Sequence, residues 1–304
     1  MSSNETISVI GAGAMGAFYA SKFSDMDENC ISLMASGERY ERLTKEGIVV
    51  NNKQYLLPVI KPDDIVPPAD LVIVAVKNHH LHDAIQHMEN LIGEKTVILS
   101  VMNGIDSEEQ IGAVYGMDKV LYAVAVGIDA LREGNSMMYT TQGKLFFGEV
   151  RNTVLTERVK RIQSLFDRAG IVYETPDDMI RILWWKFMIN VGINQTSAVM
   201  RAPYGVFQIS PEAREVMDSA MREVTAVAEA AKIRISGEDI ENWYSFLSQL
   251  SPDGKTSMLQ DVEAQRKTEV EMFSGKMIEL GQSYGIPTPV NQTLYRMIKV
   301  IERY

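Results

Sequence analysis

The sequence feature that most constrains the fold is a glycine-rich turn near the N-terminus. A strand-like run at residues 7–10 leads directly into the turn, and a helix-compatible stretch follows it. In this G-x-G-x-x-G spacing the first glycine permits a tight turn, the second lets the backbone approach a pyrophosphate, and the third lets the helix pack on the strand. The context predicts a dinucleotide-binding unit rather than an ordinary loop. The turn consists of Gly11, Ala12, Gly13, Ala14, Met15 and Gly16.

The first 105 residues alternate short β-rich runs with helix-like stretches, which is typical of a parallel sheet with crossover helices. The run at 71–76 is apolar almost throughout, as expected for a central strand covered on both faces. Between residues 120 and 150, β-rich runs broken at Gly134-Asn135 and Gln142-Gly143 predict hairpin-like additions to the sheet. A helix is predicted over 154–169. The predicted strands of the parallel part are 7–10, 30–35, 71–76 and 96–101.

Helical periodicity and good helix formers dominate the chain after Pro176, and turn signals divide that part into several helices. We therefore predict an α/β protein with a Rossmann-type dinucleotide-binding domain at 1–176 and an all-α domain at 177–304, which would carry the substrate and catalytic groups.

Composition excludes several classes of function. The 304 residues include 30 Lys and Arg against 40 Asp and Glu, a formal net charge of −10, so no overall basic surface is available for nucleic acid or anionic lipid. No apolar run approaches the ~18 residues of a membrane helix. Because Cys30 is the single cysteine and no secretory signal is visible, we expect a cytoplasmic protein.

The residue expected to contact the adenosine ribose follows the second strand, and here it is Ser36. A carboxylate at this point would favour NAD, since it repels a 2′-phosphate. Arg39, three positions further on, is a candidate phosphate ligand or simply a solvated arginine. The sequence favours NADP and leaves NAD open.

A polar stripe runs along an otherwise apolar helix in the second half. Lys186, Asn190 and Asn194 recur every four positions and so share one helix face. Buried among large apolar groups, they need partners or a cleft that water or a ligand fills. The alternative is a structural hydrogen-bond ladder between the two domains.

Two more polar residues stand out further along. Ser257 precedes a predicted long helix that contains Glu269, and this carboxylate is a candidate to meet the Lys186 ammonium and raise its pKa against the effect of burial. If every residue from Ser257 to Glu269 were helical, the two would lie ~18 Å apart along the axis. An exposed carboxylate is the structural alternative.

All four histidines lie between residues 79 and 87. No carboxylate or cysteine completes a known ligand spacing there, so solvated or cofactor-side histidines are favoured over a zinc site, and no metal is expected.

The combination resembles the 2-dehydropantoate 2-reductases, also called ketopantoate reductases. The resemblance extends over nearly the whole chain and rests on GAGAMG, AVK, MNG, ALREGN, WWKFMINVGIN, SMLQDV, TEVE and YGIPTPVNQTLY. It implies a Rossmann domain followed by a helical domain, and NADPH-dependent reduction of 2-dehydropantoate to (R)-pantoate for pantothenate synthesis. A small-molecule 2-oxo acid is the expected partner, and apolar helical surface is compatible with a homodimer.

The resemblance also implies roles. Lys186 corresponds to the proton donor, Asn190, Asn194 and Ser257 to substrate-binding residues, and Glu269 to an acidic partner near lysine, substrate and cofactor. The remaining cofactor-side positions correspond to Gly11–Gly16, Lys77, Asn103 and Ala130.

The chain departs from the family pattern at Ser36, where most members have Arg, at Tyr204, where Asn is frequent, and at Ser274, where Asn usually precedes the glycine. Tyr204 and Ser274 are expected on the substrate side. Two alternatives therefore stay open: an NAD(P)-dependent 2-hydroxy-acid dehydrogenase acting on another branched or aromatic 2-oxo acid, and a dinucleotide-binding sensor without catalysis.

Overall fold

A computed structural model of the protein describes residues 5–134 and 136–304, with the side chains of 131–133 left out. The chain divides into two compact units, which we call unit 1, ending at Met179, and unit 2, Ile180–Tyr304. Within the described ranges, no helix has the length and apolar character needed to cross a membrane.

Unit 1 is built on an eight-stranded sheet. Strands β1, β2, β6, β7 and β8 run parallel, and Val9 of β1 lies opposite Leu33 of β2 and Ile73 of β6. The spatial order is β12-β11-β8-β7-β6-β1-β2-β5. The strands are β1 (Ile7–Ile10), β2 (Ile31–Met34), β5 (Val59–Ile60), β6 (Leu71–Val74), β7 (Val97–Ser100), β8 (Val120–Ile128), β11 (Gln142–Gly148) and β12 (Tyr173–Glu174).

The sheet confirms the predicted parallel core and its central strand. All four side chains of β6 are fully buried, as an apolar run covered on both faces requires. Strand β11 pairs antiparallel with β8, which confirms the predicted addition to the sheet. Gln142 begins β11, so the preceding turn ends before the predicted Gln142-Gly143 break. Of the other predicted break, Asn135 lies outside the described residues.

The helices of unit 1 cover the sheet, and the predicted helix at 154–169 is confirmed from Glu157 onward, with the Thr156 hydroxyl accepting from Val159 N at its start. They are α1 (Ala14–Met26), α2 (Gly37–Glu46), α3 (Leu81–His87), α4 (Ser107–Tyr115) and α5 (Glu157–Ala169). Short 3₁₀ helices occupy Asn78–His80 and Glu89–Leu91.

A second, four-stranded sheet in unit 1 was not predicted. Its order is β4-β3-β10-β9, and each strand has only three residues, too few to show a period in sequence. The strands are β3 (Ile48–Val50), β4 (Lys53–Tyr55), β9 (Leu131–Glu133) and β10 (Ser136–Met138).

Unit 2 is helical throughout, which confirms the predicted all-α character. Two five-residue π turns, Asn190–Asn194 and Glu271–Gly275, interrupt the α-helices. Buried Met, Val and Phe side chains from several helices form its core, including Met188, Val224 and Phe273. The α-helices are α6 (Met179–Ile189), α7 (Gln195–Met200), α8 (Tyr204–Ile209), α9 (Pro211–Ala230), α10 (Gly237–Leu247), α11 (Ser257–Glu263), α12 (Lys276–Tyr284) and α13 (Pro289–Ile301).

Candidate active site

The glycine turn of unit 1 has a backbone that only glycine adopts without strain. Gly11 has φ +97°, and a Cβ built on it would lie 2.6 Å from the Ala75 carbonyl oxygen. A Cβ on Gly16 would lie 1.8 Å from the carbonyl oxygen of Gly11, because the start of α1 packs directly on the turn. The turn therefore requires glycine at both positions.

The turn also ends at a helix N-terminus. Gly13 caps α1, and the first intrahelical hydrogen bond runs from Ala17 N to Gly13 O at 2.9 Å. The N–H groups of Ala14, Met15 and Gly16 precede that bond and so have no acceptor within the helix. Such groups and the positive end of the helix dipole suit an anionic pyrophosphate, so the residues present fit a dinucleotide.

Further predicted cofactor residues follow neighbouring strands of the same sheet. Lys77 comes after β6, Asn103 after β7 and Ala130 after β8, while the glycine turn follows β1. Strands β1, β6 and β7 end at the same level, so the glycine turn, Lys77 and Asn103 share one edge of the sheet, whereas β8 pairs with β7 through Val120 and Leu121 and continues to Ile128 before Ala130. Lys77, Asn103 and Ala130 are partly buried.

Ser36 is the exposed N-cap of α2, and Arg39 is exposed in the first turn of that helix. The Ser36 side chain makes no capping hydrogen bond. Because α2 follows β2, which lies next to β1, both residues lie on the flank of the glycine turn where an adenosine ribose is held in this fold.

In unit 2, Lys186 lies in α6 among aromatic side chains. Trp184 is only 7% exposed and packs edge-to-face on Phe187, with 6.0 Å between ring centroids. Lys186 itself is partly buried, and within the described ranges it makes no hydrogen bond or ion pair. Burial lowers the pKa of Lys186 to about 8, and it is the only cause. No contribution of Glu269 to this pKa is resolved among the described residues, and the expected approach of its carboxylate to the ammonium stays a prediction.

Asn190 and Asn194 lie at the two ends of the first π turn, and both are buried. Asn194 Nδ2 donates to Asn190 Oδ1 at 3.3 Å, so the two amides are neighbours, as their spacing predicts. The π turn itself was not predicted, because its i→i+5 bonding leaves no mark on the apolar pattern.

The long helix predicted to join Ser257 to Glu269 does not exist. Ser257 is the first residue of α11, which ends at Glu263, and Gln265 follows with φ +51°. A left-handed residue just after a helix terminates it. The ~18 Å separation expected for a continuous helix therefore does not apply.

Glu269 lies in the irregular segment before the second π turn and is 7% exposed. Its carbonyl oxygen accepts from Met272 N at 3.0 Å and Phe273 N at 3.2 Å. On its other side, Thr268 donates through its hydroxyl to Glu302 Oε1 at 2.7 Å. The segment that carries Glu269 is therefore held at both ends.

Ser274, which the sequence placed on the substrate side, is fully buried, and its hydroxyl donates to Gln195 Oε1 within unit 2. Its substrate-side position stays a prediction. Sequence reasoning missed Gln195 altogether. The signal available in the sequence was a polar amide directly after Asn194 in an otherwise apolar helix, because a buried amide must find partners.

The four histidines lie close together along the chain. The rings of His79 and His80 pack with centroids 4.2 Å apart, and His82 Nε2 lies 3.1 Å from Gln86 Nε2. In the part of the chain that the structure describes, no three His, Cys, Asp or Glu side chains cluster in a way that would hold a metal ion.

Unit 1 thus has the architecture of a dinucleotide-dependent oxidoreductase. Family models match both parts of the chain: ketopantoate reductase PanE/ApbA at residues 7–152 and ketopantoate reductase PanE/ApbA C terminal at residues 178–302. The chain belongs to the ketopantoate reductase family, and it is an NAD(P)-dependent oxidoreductase of the 2-dehydropantoate 2-reductase type.

Individual relatives are similar over the full length. A 2-dehydropantoate 2-reductase from Aquifex aeolicus is 26% identical over 301 residues, covering 97% of this chain and 96% of the relative. A ternary structure of D-mandelate dehydrogenase with NADH and anilino(oxo)acetate superposes with a TM-score of 0.87 at 21% identity, covering 98% of each chain. A dimeric ketopantoate reductase from Staphylococcus aureus gives 0.82 at 21% identity, covering 98% and 99%.

Proposed function

We propose that the protein reduces 2-dehydropantoate to (R)-pantoate with NADPH, in the synthesis of pantothenate. One observation carries the proposal: Lys186, which has no hydrogen-bond or ion-pair partner among the described residues and whose pKa burial lowers to about 8, lies on the helix that leads into the hydrogen-bonded amides of Asn190 and Asn194. Such a lysine can release a proton near neutral pH, as a general acid must. The curated relatives named 2-dehydropantoate 2-reductase support the substrate.

When bound, the reduced nicotinamide dinucleotide supplies a hydride to the C2 carbonyl carbon of the 2-oxo acid. Lys186 donates a proton from its ammonium to the carbonyl oxygen as negative charge develops there, which completes the alcohol and leaves a neutral amine. Solvent then reprotonates the amine. A pKa of about 8 makes both directions of this proton transfer accessible at neutral pH.

The remaining polar groups bind and orient. Asn190, Asn194 and Ser257 supply amide and hydroxyl donors for the substrate oxygens without adding charge. Glu269 is proposed as the acidic group that orients substrate beside the lysine. A small substrate of this kind is fixed chiefly by such placed hydrogen bonds.

For the dinucleotide, the turn Gly11–Gly16 is proposed to hold the pyrophosphate, and Lys77, Asn103 and Ala130 to lie on the cofactor side. Arg39 is proposed as the ligand of a 2′-phosphate, since it is exposed beside Ser36 and no carboxylate occupies that position. Exchange of NADPH for NADH is therefore expected to lower kcat/KM.

A second candidate function is an NAD(P)-dependent dehydrogenase for another branched or aromatic 2-oxo acid, and Tyr204 favours it. This residue is partly buried at the start of α8, and its backbone N donates to Gly254 O at 2.9 Å. Burial raises the pKa of Tyr204 to about 12, and its hydroxyl has no partner among the described residues. An aromatic side chain here would narrow or reshape a substrate pocket.

A substrate panel tests these proposals. Initial rates with 2-dehydropantoate, branched 2-oxo acids and aromatic 2-oxo acids are measured with NADPH and with NADH. We expect 2-dehydropantoate with NADPH to give the highest kcat/KM. Preference for an aromatic acid or for NADH would favour the second candidate, and tight dinucleotide binding without turnover of any acid would instead indicate a sensor.

We also propose that the protein acts as a homodimer in the cytoplasm. The dimeric relative from Staphylococcus aureus supports the first part, and the free, buried thiol of Cys30 suits a reducing compartment. Light scattering after size-exclusion chromatography measures the mass, and a mass of one chain at micromolar concentration would contradict the dimer.

A further inference from the structure

Unit 2 contains a polar group of residues that the proposed chemistry does not use. Gln195, Ser274 and Asn291 have no exposed surface and come from α7, the second π turn and α13. Polar groups buried in a helical core cost free energy unless every one of them is paired. The presence of these three polar side chains in the core therefore indicates that their hydrogen bonds hold the surrounding helices in a specific arrangement, which apolar side chains would not impose.

The amide of Gln195 is fully used. Its Oε1 accepts from the backbone N of Ser274 at 3.1 Å and also from the Ser274 hydroxyl. Its Nε2 donates to Val191 O at 2.7 Å and to Asn291 Oδ1 at 3.2 Å. Two acceptor and two donor bonds exhaust the capacity of the group, so the amide can take only one orientation.

The far side of the network is anchored as well. Asn291 Nδ2 donates to Glu223 Oε2 at 2.8 Å, and the backbone N of Asn291 donates to the same oxygen at 3.0 Å. Glu223 belongs to α9, so this helix joins the network through Asn291. A shift of the Gln195 amide would break its bonds to Val191 in the first π turn, Ser274 in the second and Asn291 in α13.

The Gln195 amide is connected to candidate active-site residues on two segments of the chain. Gln195 follows Asn194 directly, and Val191, whose carbonyl it binds, lies in the same π turn as Asn190. The backbone carbonyl oxygen of Glu269 accepts the first hydrogen bonds of the π turn that contains Ser274, from Met272 N and Phe273 N. The Gln195 side chain therefore joins the π turn that follows α6 to the segment that begins at Glu269.

We propose that Gln195 is a positioning residue that sets Glu269 relative to Asn190 and Asn194. The proposal rests on the proposed function, since it gives Glu269 a role beside the substrate. A displacement of about 1 Å in an orienting group is enough to lower turnover strongly. Loss of the Gln195–Ser274 bonds is therefore expected to lower kcat. This loss of kcat should be larger than the loss of stability alone explains, and dinucleotide affinity should not change.

The test compares Gln195→Met and Ser274→Ala with a matched control, Thr196→Val. Thr196 is also fully buried, but its hydroxyl donates to Gly192 O at 2.7 Å in the π turn that directly precedes α7 and does not touch the Glu269 segment. Ser274→Ala and Thr196→Val each remove one buried hydroxyl, so similar losses in Tm are expected for these two variants, whereas Gln195→Met removes four hydrogen bonds and should lower Tm more.

We expect kcat to fall about tenfold in Gln195→Met and about threefold in Ser274→Ala, with less than about a twofold change in Thr196→Val. The KM for the dinucleotide should not change in any of them. The double variant should lose no more than Gln195→Met alone, because both changes remove one interaction. If Gln195→Met does not fold, Ser274→Ala against Thr196→Val decides the question.

Unchanged kcat in the Gln195 and Ser274 variants, or an equal loss in Thr196→Val, would overturn the positioning role while the wild-type protein still turns over its 2-oxo acid. Absence of turnover in the wild-type protein would overturn the proposed function and the positioning role with it.

Discussion

The glycine turn of unit 1 and the lysine helix of unit 2 are suited to their ligands in opposite ways. In the turn, a Cβ on Gly16 would overlap the Gly11 carbonyl, so the backbone itself is the proposed surface for the dinucleotide. In α6, the proposed role depends on a side chain, and burial lowers the pKa of Lys186. The first kind of site depends on shape and the second on protonation, so the two should respond differently to substitution and to pH.

The largest expected effect separates chemistry from binding. Lys186→Ala removes the proposed proton donor and should lower kcat by about 10²- to 10⁴-fold. Dinucleotide affinity should be unchanged, because the turn proposed to bind the dinucleotide is in unit 1 and Lys186 is in unit 2. Steady-state rates and fluorescence titration with the dinucleotide measure the two, and Lys160→Ala, which removes an exposed lysine paired with Glu157, is the control.

Near-normal turnover in Lys186→Ala would contradict the role of Lys186 as the proton donor. Equal losses in turnover and in dinucleotide affinity would show instead that the two regions do not work separately.

The converse change is Gly16→Ala. The added methyl would lie 1.8 Å from the Gly11 carbonyl oxygen, so the helix must move away from the turn. We expect the Kd for the dinucleotide to rise about a hundredfold, while kcat at saturating dinucleotide changes little. In Gly237→Ala the new Cβ meets no atom within 4 Å, so this variant should bind as the wild type does. Wild-type affinity in Gly16→Ala would contradict a close-packed turn.

A smaller effect concerns a buried acid in unit 1. Glu108 in α4 is 2% exposed, and burial raises its pKa to about 7 in spite of bonds from the Ser107 hydroxyl and from Ala123 N. A carboxyl whose folded pKa lies above its unfolded value contributes stability at low pH, and that stability is lost as pH rises through the folded pKa.

Urea unfolding of the wild-type protein should therefore show unit 1 losing about 2 kcal/mol between pH 5 and pH 9, and Glu108→Gln should remove most of that loss. The amide keeps the shape and both partners of the neutral acid, and kcat should stay at the wild-type value. The same pH dependence in Glu108→Gln and wild type would assign the effect to other groups.

The sequence was most informative where function depends on local pattern. The glycine spacing, the apolar run of β6 and the four-residue spacing of Asn190 and Asn194 each lie within a few turns of chain, and each prediction from them was confirmed in the fold. Such signals survive because the residues that interact are close in sequence.

The features that were missed leave no mark on the sequence pattern. The end of α11 at Glu263 and the two π turns are local changes of the backbone that the apolar spacing does not show. The bond between Gln195 and Ser274 joins residues 79 positions apart. No period or spacing encodes such a contact. The pKa of Lys186 likewise follows from how completely its neighbours bury it, which only the packed structure shows.

The most direct test of the account is the pH dependence of kcat for reduction of the 2-oxo acid. If the Lys186 ammonium donates the proton, kcat should be constant at low pH and fall as pH rises through an apparent pKa near 8. A kcat that stays constant from pH 6.5 to about 9.5, or that rises over this range, would contradict a general acid whose pKa is lowered by burial.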